Sequence, residues 1–459
     1  MLNTSLASLL QDQLHGRVLT PGDDGYEEAR GLFNGMIEHR PAMIAQCSGT
    51  ADVIACVNFA RENDVPIAAK GGGHGVAGRA LVDDGLVVDL SPMRSVVVDP
   101  QLKTAQVQGG ATLSDLDRET QAFGLATPAG VDSRTGVAGL ALGGGMGHLA
   151  RRFGLTVDNL QAADIVTADG KLRHVNESEH QDLFWALRGG GGNFGIVTSF
   201  DFRLHEVGPE VLVAQAFHLF DDAPDVLRFY RSFISEAPNE VGCFCLVLRV
   251  PPMEPFPPEH HGKIALALIA NHSGNQEEGR RALEPIESFG SPILNVITPM
   301  PYTQLQSNLD AGFPKGARYY WKSHYLPELS EAAIDTVIHQ IGDLPGEFTG
   351  LGFEPMGGAI NKVDPTATAF PHRNAAFGFA VFAGWQDASS DDEVIGWTRA
   401  FHDAMEPFST GGTYVNYIQG DAGDEFRTAY GANFERLREI KKRYDPQGLF
   451  NAHQRIKAR

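Results

Sequence analysis

Short apolar runs separated by polar turns dominate the first part of the chain. Residues 65–69, 85–90 and 95–99 are apolar or β-branched and are bounded by turn residues, a pattern typical of strands. Residues 104–109 alternate between apolar and polar side chains, whereas residues 51–63 place apolar side chains at helical spacing. Because strands and helices do not alternate regularly, the pattern predicts an α+β fold.

The pattern changes near residue 207, where longer alternating runs begin. Strands are predicted at residues 211–219, 241–250, 264–271, 319–326, 347–354 and 377–385, and amphipathic helices at 226–234, 277–289, 331–341 and 392–405. An antiparallel sheet with helices packed on one face accounts for this order, and its other face is then free to cover a ligand. We predict two domains, residues 1–206 with 412–459 and residues 207–411.

Length and composition agree with a globular protein of two domains. The chain has 459 residues, of which 42% are hydrophobic and 20% are charged. Its formal net charge of −20 argues against nucleic acid and membranes as partners, because both require a positive surface. The 52 glycines cluster in a few loops, which indicates close contact between backbone and a ligand.

The cysteines form neither a metal motif nor a disulfide framework. Cys243 and Cys245 are too close along one strand for a relaxed disulfide, and Cys47 and Cys56 add no C-x-x-C spacing. We therefore predict reduced thiols and no metal site. The first residues lack the basic start of a signal peptide, and no apolar run reaches the ~20 residues of a membrane span. The expected compartment is the cytoplasm.

Three glycine-rich loops carry the candidate chemistry. The first, residues 71–75, reads Gly-Gly-Gly-His-Gly, and the others lie at residues 143–147 and 189–195. Because freed backbone N–H groups form an anion-binding concavity, the first loop predicts a dinucleotide cradle with His74 beside the ligand. Residues 190–195 match G-x-G-x-x-G, but a strand follows where a Rossmann site requires a helix.

The order of these loops and of later motifs is that of a known family. The chain resembles the FAD-linked oxidases of the vanillyl-alcohol-oxidase (PCMH-type) superfamily, in particular the bacterial berberine-bridge-enzyme-like branch close to hydroxynicotine oxidases and polyketide-tailoring members. The matching motifs are residues 71–75, 128–147, 154–159, 183–195, 370–373, 414–417, and 430–434 with 444–446. The resemblance implies a two-lobed FAD-binding domain, a substrate domain and FAD as the cofactor.

The resemblance also implies how the flavin is held. In the family, the histidine of the first motif is bonded to the 8α-methyl group of the flavin, a role that falls on His74 here. Many relatives add a second bond from a cysteine, but this chain has Asp132 at that position, so a single covalent link is predicted. Thr135 takes the position that lies over the flavin ring and influences the access of oxygen.

Further cofactor contacts are assigned to the motifs by the same resemblance, and no residue is assigned to a metal. The predicted cofactor-binding residues are Gly71, Gly72, Gly73, His74, Gly75, Pro128, Asp132, Thr135, Gly136, Gly139, Gly143, Gly144, Gly145, Gly147, Asn193, Gly195, Ile196, Val197, Tyr417 and Asn433.

The family often takes its catalytic base from a tyrosine pair near the C-terminus, which here is Tyr414 and Tyr417. Tyr417 is the position that the resemblance implies as the base. Since tyrosine has a reference pKa of ~10, this role requires a stabilised phenolate. Lys322 and Arg373 are the candidate cations.

The predicted strand at residues 319–326 carries another candidate. Strand alternation places Tyr325 on the same face as Trp321, where both would line the substrate pocket. In the plant alkaloid enzyme of the family, a carboxylate acts a few residues after a Gly-Gly pair. The equivalent residue here is Lys362, which argues against a carboxylate base and favours the tyrosine.

The predicted function is that of an FAD-dependent oxidase. It would take a hydride from a hydroxyl-bearing small molecule, such as a secondary alcohol, a sugar or a specialised metabolite, to flavin N5, and O2 would reoxidise the flavin to give H2O2. The alternatives are a C–N oxidase of cyclic amines and a flavin-dependent oxygenase of a polyketide-like substrate. A flavin-carrying binding protein without turnover is the alternative outside enzymes.

Overall fold

The structure, a computed structural model, describes residues 4–342, 344–420, 425–451 and 456. Its α-helices are α1 Thr4–Gln11, α2 Tyr26–Arg30, α3 Thr50–Glu62, α4 Leu113–Gln121, α5 Val137–Gly143, α6 Ala150–Phe153, α7 Gln181–Leu187, α8 Ala223–Glu236, α9 Gln276–Glu287, α10 Tyr302–Ser307, α11 Glu331–Ile341, α12 Asp391–Met405, α13 Glu425–Tyr430 and α14 Phe434–Tyr444. No described helix is both long and apolar enough to cross a lipid bilayer.

The strands form sheets that differ in direction and size. They are β1 Arg17–Leu19, β2 Met43–Gln46, β3 Ile67–Lys70, β4 Leu86–Asp89, β5 Val96–Asp99, β6 Thr104–Gln108, β7 Leu125–Ala126, β8 Leu160–Thr167, β9 Leu172–Asn176, β10 Gly195–Arg203, β11 His205–Glu206, β12 Glu210–Leu219, β13 Val241–Arg249, β14 Ile264–His272, β15 Leu294–Pro301, β16 Arg318–Leu326, β17 Gly350–Pro355 and β18 Phe377–Trp385. The short pair β7–β11 stands apart from the larger sheets.

Two sheets build the part of the molecule that carries the glycine loops. The four-stranded sheet has the order β1-β2-β4-β3, and β2 and β3 both pair with β4 in parallel. The five-stranded sheet, β5-β6-β10-β8-β9, is antiparallel throughout. The first glycine loop follows β3 directly and the third precedes β10. Each loop is therefore joined to the end of a core strand, and the burial of that strand fixes the position of the loop.

The seven-stranded sheet is antiparallel, with the order β15-β12-β14-β13-β17-β18-β16. Helices α8, α9, α11 and α12 pack on one face, where Val226, Leu283, Val337 and Phe401 contribute to one buried cluster. Along β13, alternate side chains such as Cys243 join this cluster, so the residues between them point to the opposite face. We call that opposite side the open face.

The predicted fold class is confirmed: an α+β chain in which an antiparallel sheet is covered by helices on one face. The domain boundaries at residues 206 and 412 stay a prediction. The sequence did not indicate β15, which contains Pro299 and Pro301. Prolines are tolerated there because β15 is an edge strand with one side free of ladder hydrogen bonds.

Candidate active site

A cavity of about 1290 Å³ lies between the glycine loops and the open face of the seven-stranded sheet. This volume exceeds the usual range of a pocket for one small ligand, roughly 300–1000 Å³. The open face lines it with Gln215, Phe217, Phe244, Leu246, Leu248, Ile269, Trp321, Glu354 and Phe382. The cavity therefore offers room for a cofactor against the loops and a substrate against the sheet.

The first glycine loop forms one wall, and all of Gly71, Gly72, Gly73, His74 and Gly75 line the cavity. Gly73 has φ +66°, which favours glycine, and a Cβ atom on Gly72 would lie only 2.5 Å from the Cα atom of the neighbouring loop. A Cβ atom on Gly75 would meet nothing within 4 Å. The loop thus exposes its backbone to the cavity.

His74 is held between an aromatic ring and a carboxylate. Its imidazole stacks on Phe33 with ring centroids 4.0 Å apart, and its Nε2 atom lies 3.5 Å from Asp132 Oδ2. Burial raises the pKa of Asp132, but the nearby His74 imidazole and the hydrogen bonds from Arg134 outweigh it and hold that pKa below its ordinary value. Asp132 is therefore an anion that orients the imidazole through Nε2.

The segment from Thr135 to Gly147, which ends with the second glycine loop, is divided between the cavity and the protein interior. Thr135, Gly136 and Gly139 line the cavity, as predicted for cofactor-binding residues. The glycines at positions 143, 144, 145 and 147 do not line it. A Cβ atom on Gly144 would lie 3.0 Å from the Phe370 ring, so these glycines serve close packing beneath the site.

The third loop contributes backbone and one amide side chain. Asn193, Gly195, Ile196 and Val197 line the cavity. Asn433 does not, because its amide donates to backbone carbonyl oxygens, among them Pro365 O at 2.9 Å. Pro128, also predicted as a contact, is buried but lies outside the cavity lining.

Arg79 is a cavity residue that the sequence reading missed. Its guanidinium donates to the carbonyl oxygens of Ile418 and Gln419 and lies over the ring of Phe426, and its Nε atom is buried without a hydrogen-bond partner. Burial lowers its pKa to about 9, and no described carboxylate pairs with it. A buried cation without a counter-charge in a cavity lined by glycine loops is placed for an anionic ligand.

Tyr417 and Glu354 meet at the sheet side of the cavity. The Tyr417 hydroxyl donates to Glu354 Oε1 at 2.9 Å, and the other carboxylate oxygen has no hydrogen-bond partner among the described residues. Burial raises the pKa of Glu354 to about 7. Burial, together with the nearby carboxylate, raises the pKa of Tyr417 well above its ordinary value. Glu354 is thus the group that titrates near neutral pH.

The other predicted tyrosines surround this pair. Tyr414 stands edge-to-face against Tyr417 with ring centroids 4.8 Å apart and accepts a hydrogen bond from the Gly145 N–H at 2.9 Å. Tyr325 belongs to the same buried cluster, and its hydroxyl has no hydrogen-bond partner among the described residues. It does not line the large cavity, whereas Trp321 on the same strand face does.

Neither predicted cation is placed to stabilise a Tyr417 phenolate. Lys322 forms an ion pair with Glu425 and lies outside the cavity lining, because strand alternation points it away from Trp321. Arg373 is buried in a two-pronged ion pair with Asp158, with both distances 2.7 Å. The structure therefore places Lys322 outside the cavity lining, and beside Tyr417 it places the Glu354 carboxylate where a cation was expected.

Sequence reasoning missed Glu354 because it looked for a carboxylate after the Gly-Gly pair, at Lys362. That lysine is exposed. The signal lay before the pair: Glu354 is the one charged residue of β17, and alternation with Leu351 and Phe353, which face the helices, puts it on the open face.

Comparisons with known proteins agree with this geometry. One family model, described as FAD binding domain, matches residues 41–176, and another, described as Berberine and berberine like, matches residues 413–457. The chain is 31% identical to an FAD-linked oxidoreductase of Dictyostelium discoideum, over 99% of this chain and 97% of the relative. It is 26% identical to (R)-6-hydroxynicotine oxidase of Paenarthrobacter nicotinovorans, over 99% of both chains.

A solved structure shares the fold over the whole chain. The BBE-like 1 protein of Physcomitrella patens superposes with a TM-score of 0.88 at 27% sequence identity, covering 99% of both chains. The resemblance to FAD-linked, berberine-bridge-enzyme-like proteins, drawn from the ordered set of motifs, is confirmed.

Proposed function

Since the chain belongs to the berberine-bridge-enzyme-like family of FAD-linked oxidoreductases, we propose that it oxidises a hydroxyl-bearing small molecule with O2 as the electron acceptor. The observation that carries this proposal is the buried Glu354 carboxylate, hydrogen-bonded to Tyr417 in the wall opposite the glycine loops. The pair supplies a proton acceptor at the place where a substrate would meet the cofactor.

The residues of the cavity fit FAD. Gly75, Gly139 and Gly192 leave open space where a Cβ atom would stand, and they line the same wall. Arg79 supplies a partly buried cation that pairs with no carboxylate among the described residues, which suits the pyrophosphate group. His74 presents an imidazole beside these loops, so we assign it as the single covalent tether. Asp132 stands where many relatives have a second attachment.

The proton of the substrate hydroxyl goes to the Tyr417–Glu354 pair. With a pKa near 7, Glu354 is ionised in much of the protein at neutral pH and accepts a proton. Tyr417 lies between the tyrosine cluster and Glu354, so its hydroxyl takes the substrate proton while it donates its own to the carboxylate. In this arrangement no free phenolate forms, which removes the need for a nearby cation.

When bound, FAD would supply the redox chemistry, namely hydride uptake from the substrate and return of two electrons and two protons to O2 as H2O2. The chain orients the reaction. The second glycine loop places the Gly145 N–H on Tyr414, and Tyr414 packs edge-to-face on Tyr417. These contacts fix the Tyr417 hydroxyl relative to the cavity.

A cyclic amine is the second candidate substrate. The (R)-6-hydroxynicotine oxidase relative favours it, and Glu354 would also be able to accept the proton of a bound ammonium group. The two candidates differ in the protonation state of the substrate that reacts. Amine oxidation would stop at a pH at which the amine stays protonated. The rate of alcohol oxidation would depend on pH only through the ionisation of Glu354.

The test of the proposed function is anaerobic reduction of the flavin followed by reoxidation. Purified holoenzyme is mixed without oxygen with a panel of secondary alcohols and cyclic amines, and loss of the oxidised flavin absorbance is recorded. Admitting O2 should restore that absorbance and yield one H2O2 per substrate consumed. Reduction without peroxide, or with electrons passed only to an artificial acceptor, would contradict the oxidase assignment.

A further inference from the structure

The open face differs in chemistry from a carbohydrate site. Of the residues of the seven-stranded sheet that line the cavity, only Gln215, Arg249 and Glu354 have charged or amide side chains. We propose, resting on the function proposed above, that the substrate is an apolar, ring-containing alcohol of at least two fused rings, and not an oligosaccharide. The reacting hydroxyl lies at Glu354 and the ring system lies along the open face.

The middle of the open face is an apolar wall. Leu246 and Leu248 are only half-buried, although Val247 between them is fully buried on the helix side. Their exposed surface is therefore directed into the cavity, next to Phe217 and Ile269 in one cluster. An apolar ligand that covers this wall removes the leucine side chains from water, which is favourable in proportion to the area covered.

The end of the open face nearest Glu354 is aromatic. Trp321 stands edge-to-face against Phe382 with centroids 5.1 Å apart, and both meet the Tyr417 ring, at 5.5 Å and 5.4 Å. Phe313 adds a fourth ring 6.0 Å from Trp321. Such a cluster presents ring edges and faces to a flat ligand, and aromatic pairs at these distances favour stacked or edge-to-face contact.

Within the cavity, the leucine and phenylalanine wall carries few polar groups, and Gln215, which pairs with Ile269, is one of them. Glu354 and Tyr417 occupy one end, and the exposed residues Glu254, Asn308 and Glu347 line the other. A sugar would bring several hydroxyls against the leucine and phenylalanine wall, where each would lose water without gaining a partner. An alcohol whose one polar group is the reacting hydroxyl meets no such cost.

Two probes, each with two rings, separate the alternatives. Holoenzyme is titrated without oxygen with 1-(2-naphthyl)ethanol, which has two fused rings, and with cellobiose, which has two sugar rings. Binding is followed by the change in the flavin absorbance spectrum before reduction, and reaction by the loss of that absorbance. We expect the naphthyl alcohol to bind and to reduce the flavin, and cellobiose to do neither.

Variants of Leu246 test whether the naphthyl alcohol binds against the apolar wall. Leu246→Asn keeps the side-chain size while it makes the wall polar, and it should weaken naphthylethanol binding at least tenfold. Leu246→Met is the matched apolar control and should bind within a factor of about three, since volume-conserving apolar changes are tolerated. Leu172→Asn, on an exposed strand position outside the cavity, should leave binding unchanged.

The outcomes are distinct for the two proposals. Cellobiose that reduces the flavin while the naphthyl alcohol stays inert would overturn the substrate class and leave the oxidase function standing. Naphthylethanol that binds without reducing the flavin would support the apolar wall and contradict the function. Equal binding by wild type and Leu246→Asn, or no spectral change with the naphthyl alcohol, would overturn the proposal.

Discussion

The Tyr417 hydroxyl donates a hydrogen bond of 2.9 Å to Glu354 Oε1 inside the protein. The two residues come from distant parts of the chain, a short 3-10 turn at Val415–Tyr417 and strand β17. Burial raises the pKa of both, but only that of Glu354 reaches the neutral range. This relationship makes the carboxylate, and not a phenolate, the proton acceptor of the proposed reaction.

Replacing the carboxylate should remove most of the activity. Glu354→Gln keeps the shape and the hydrogen bond from Tyr417 but cannot accept a proton, so we expect the rate constant of flavin reduction to fall about 10²–10⁴-fold. The amount of bound flavin should not change. Glu259→Gln, on an exposed loop, is the control. A Glu354→Gln enzyme that reduces its flavin at the normal rate would remove Glu354 from the mechanism.

The proposed covalent bond between His74 and the flavin can be tested without an activity assay. Acid precipitation should leave the flavin with the wild-type protein, whereas His74→Ala should release it as free FAD. Asp132→Asn should slow the attachment after apoprotein is mixed with FAD, because the carboxylate orients the imidazole through Nε2. Mass spectrometry of the intact chain measures both. Free FAD released from the wild type would contradict the assignment of His74.

Arg79 should contribute to the affinity for FAD and not for riboflavin. In the His74→Ala background, where the flavin is exchangeable, Arg79→Gln should weaken FAD binding at least tenfold because the pyrophosphate loses its buried cation. Arg79→Lys, which keeps the charge, should lose less. Titration followed by flavin fluorescence gives the dissociation constants for FAD and for riboflavin. An equal loss for riboflavin, which has no phosphate, would show that Arg79 acts only through the fold.

Asp117 should make the stability depend on pH. Burial raises its pKa from 3.8 to about 7, although Gln306 donates to it. The folded state therefore keeps the carboxyl protonated while the unfolded chain ionises it, so stability falls as pH rises from about 4 to about 7. The loss is roughly 4 kcal/mol, since one pKa unit corresponds to ~1.4 kcal/mol.

Removing that carboxyl tests the same argument. Asp117→Asn should unfold at a higher temperature than the wild type at pH 8, and the difference should shrink near pH 4.5. Asp335→Asn, at an exposed position, should show no such change. Thermal unfolding followed by circular dichroism gives the midpoints. A pH-independent difference between Asp117→Asn and the wild type would contradict the burial argument.

The sequence predicted those parts of the fold that local patterns determine. Strand β18 was predicted with the bounds it has, Phe377–Trp385, because a continuous apolar run of this length between polar residues is typical of a fully buried strand. The first glycine loop was found because a phosphate cradle needs consecutive glycines next to a strand. By contrast, β15 was missed because edge position, which tolerates its prolines, is a property of the whole sheet.

The parts of the site that the sequence did not predict depend on contacts between residues that are distant in the chain. Nothing near Glu354 in the sequence shows that Tyr417 faces it, and a lone carboxylate in a strand usually lies in solvent. Likewise, the sequence suggested Lys322 as a cation for the site, but strand alternation directs its side chain toward Glu425. Such pairings follow from how the sheet covers the loops, which a single sequence does not reveal.

The most direct test is the rate of anaerobic flavin reduction as a function of pH. In the wild type, the rate should rise with pH and level off above about 7, because Glu354 must be ionised to accept the proton. Tyr417→Phe should react more slowly, and its profile should shift to higher pH, because the hydrogen bond from Tyr417 lowers the pKa of Glu354. A wild-type profile that rises only near pH 10, or one that Tyr417→Phe leaves in place, would contradict the account.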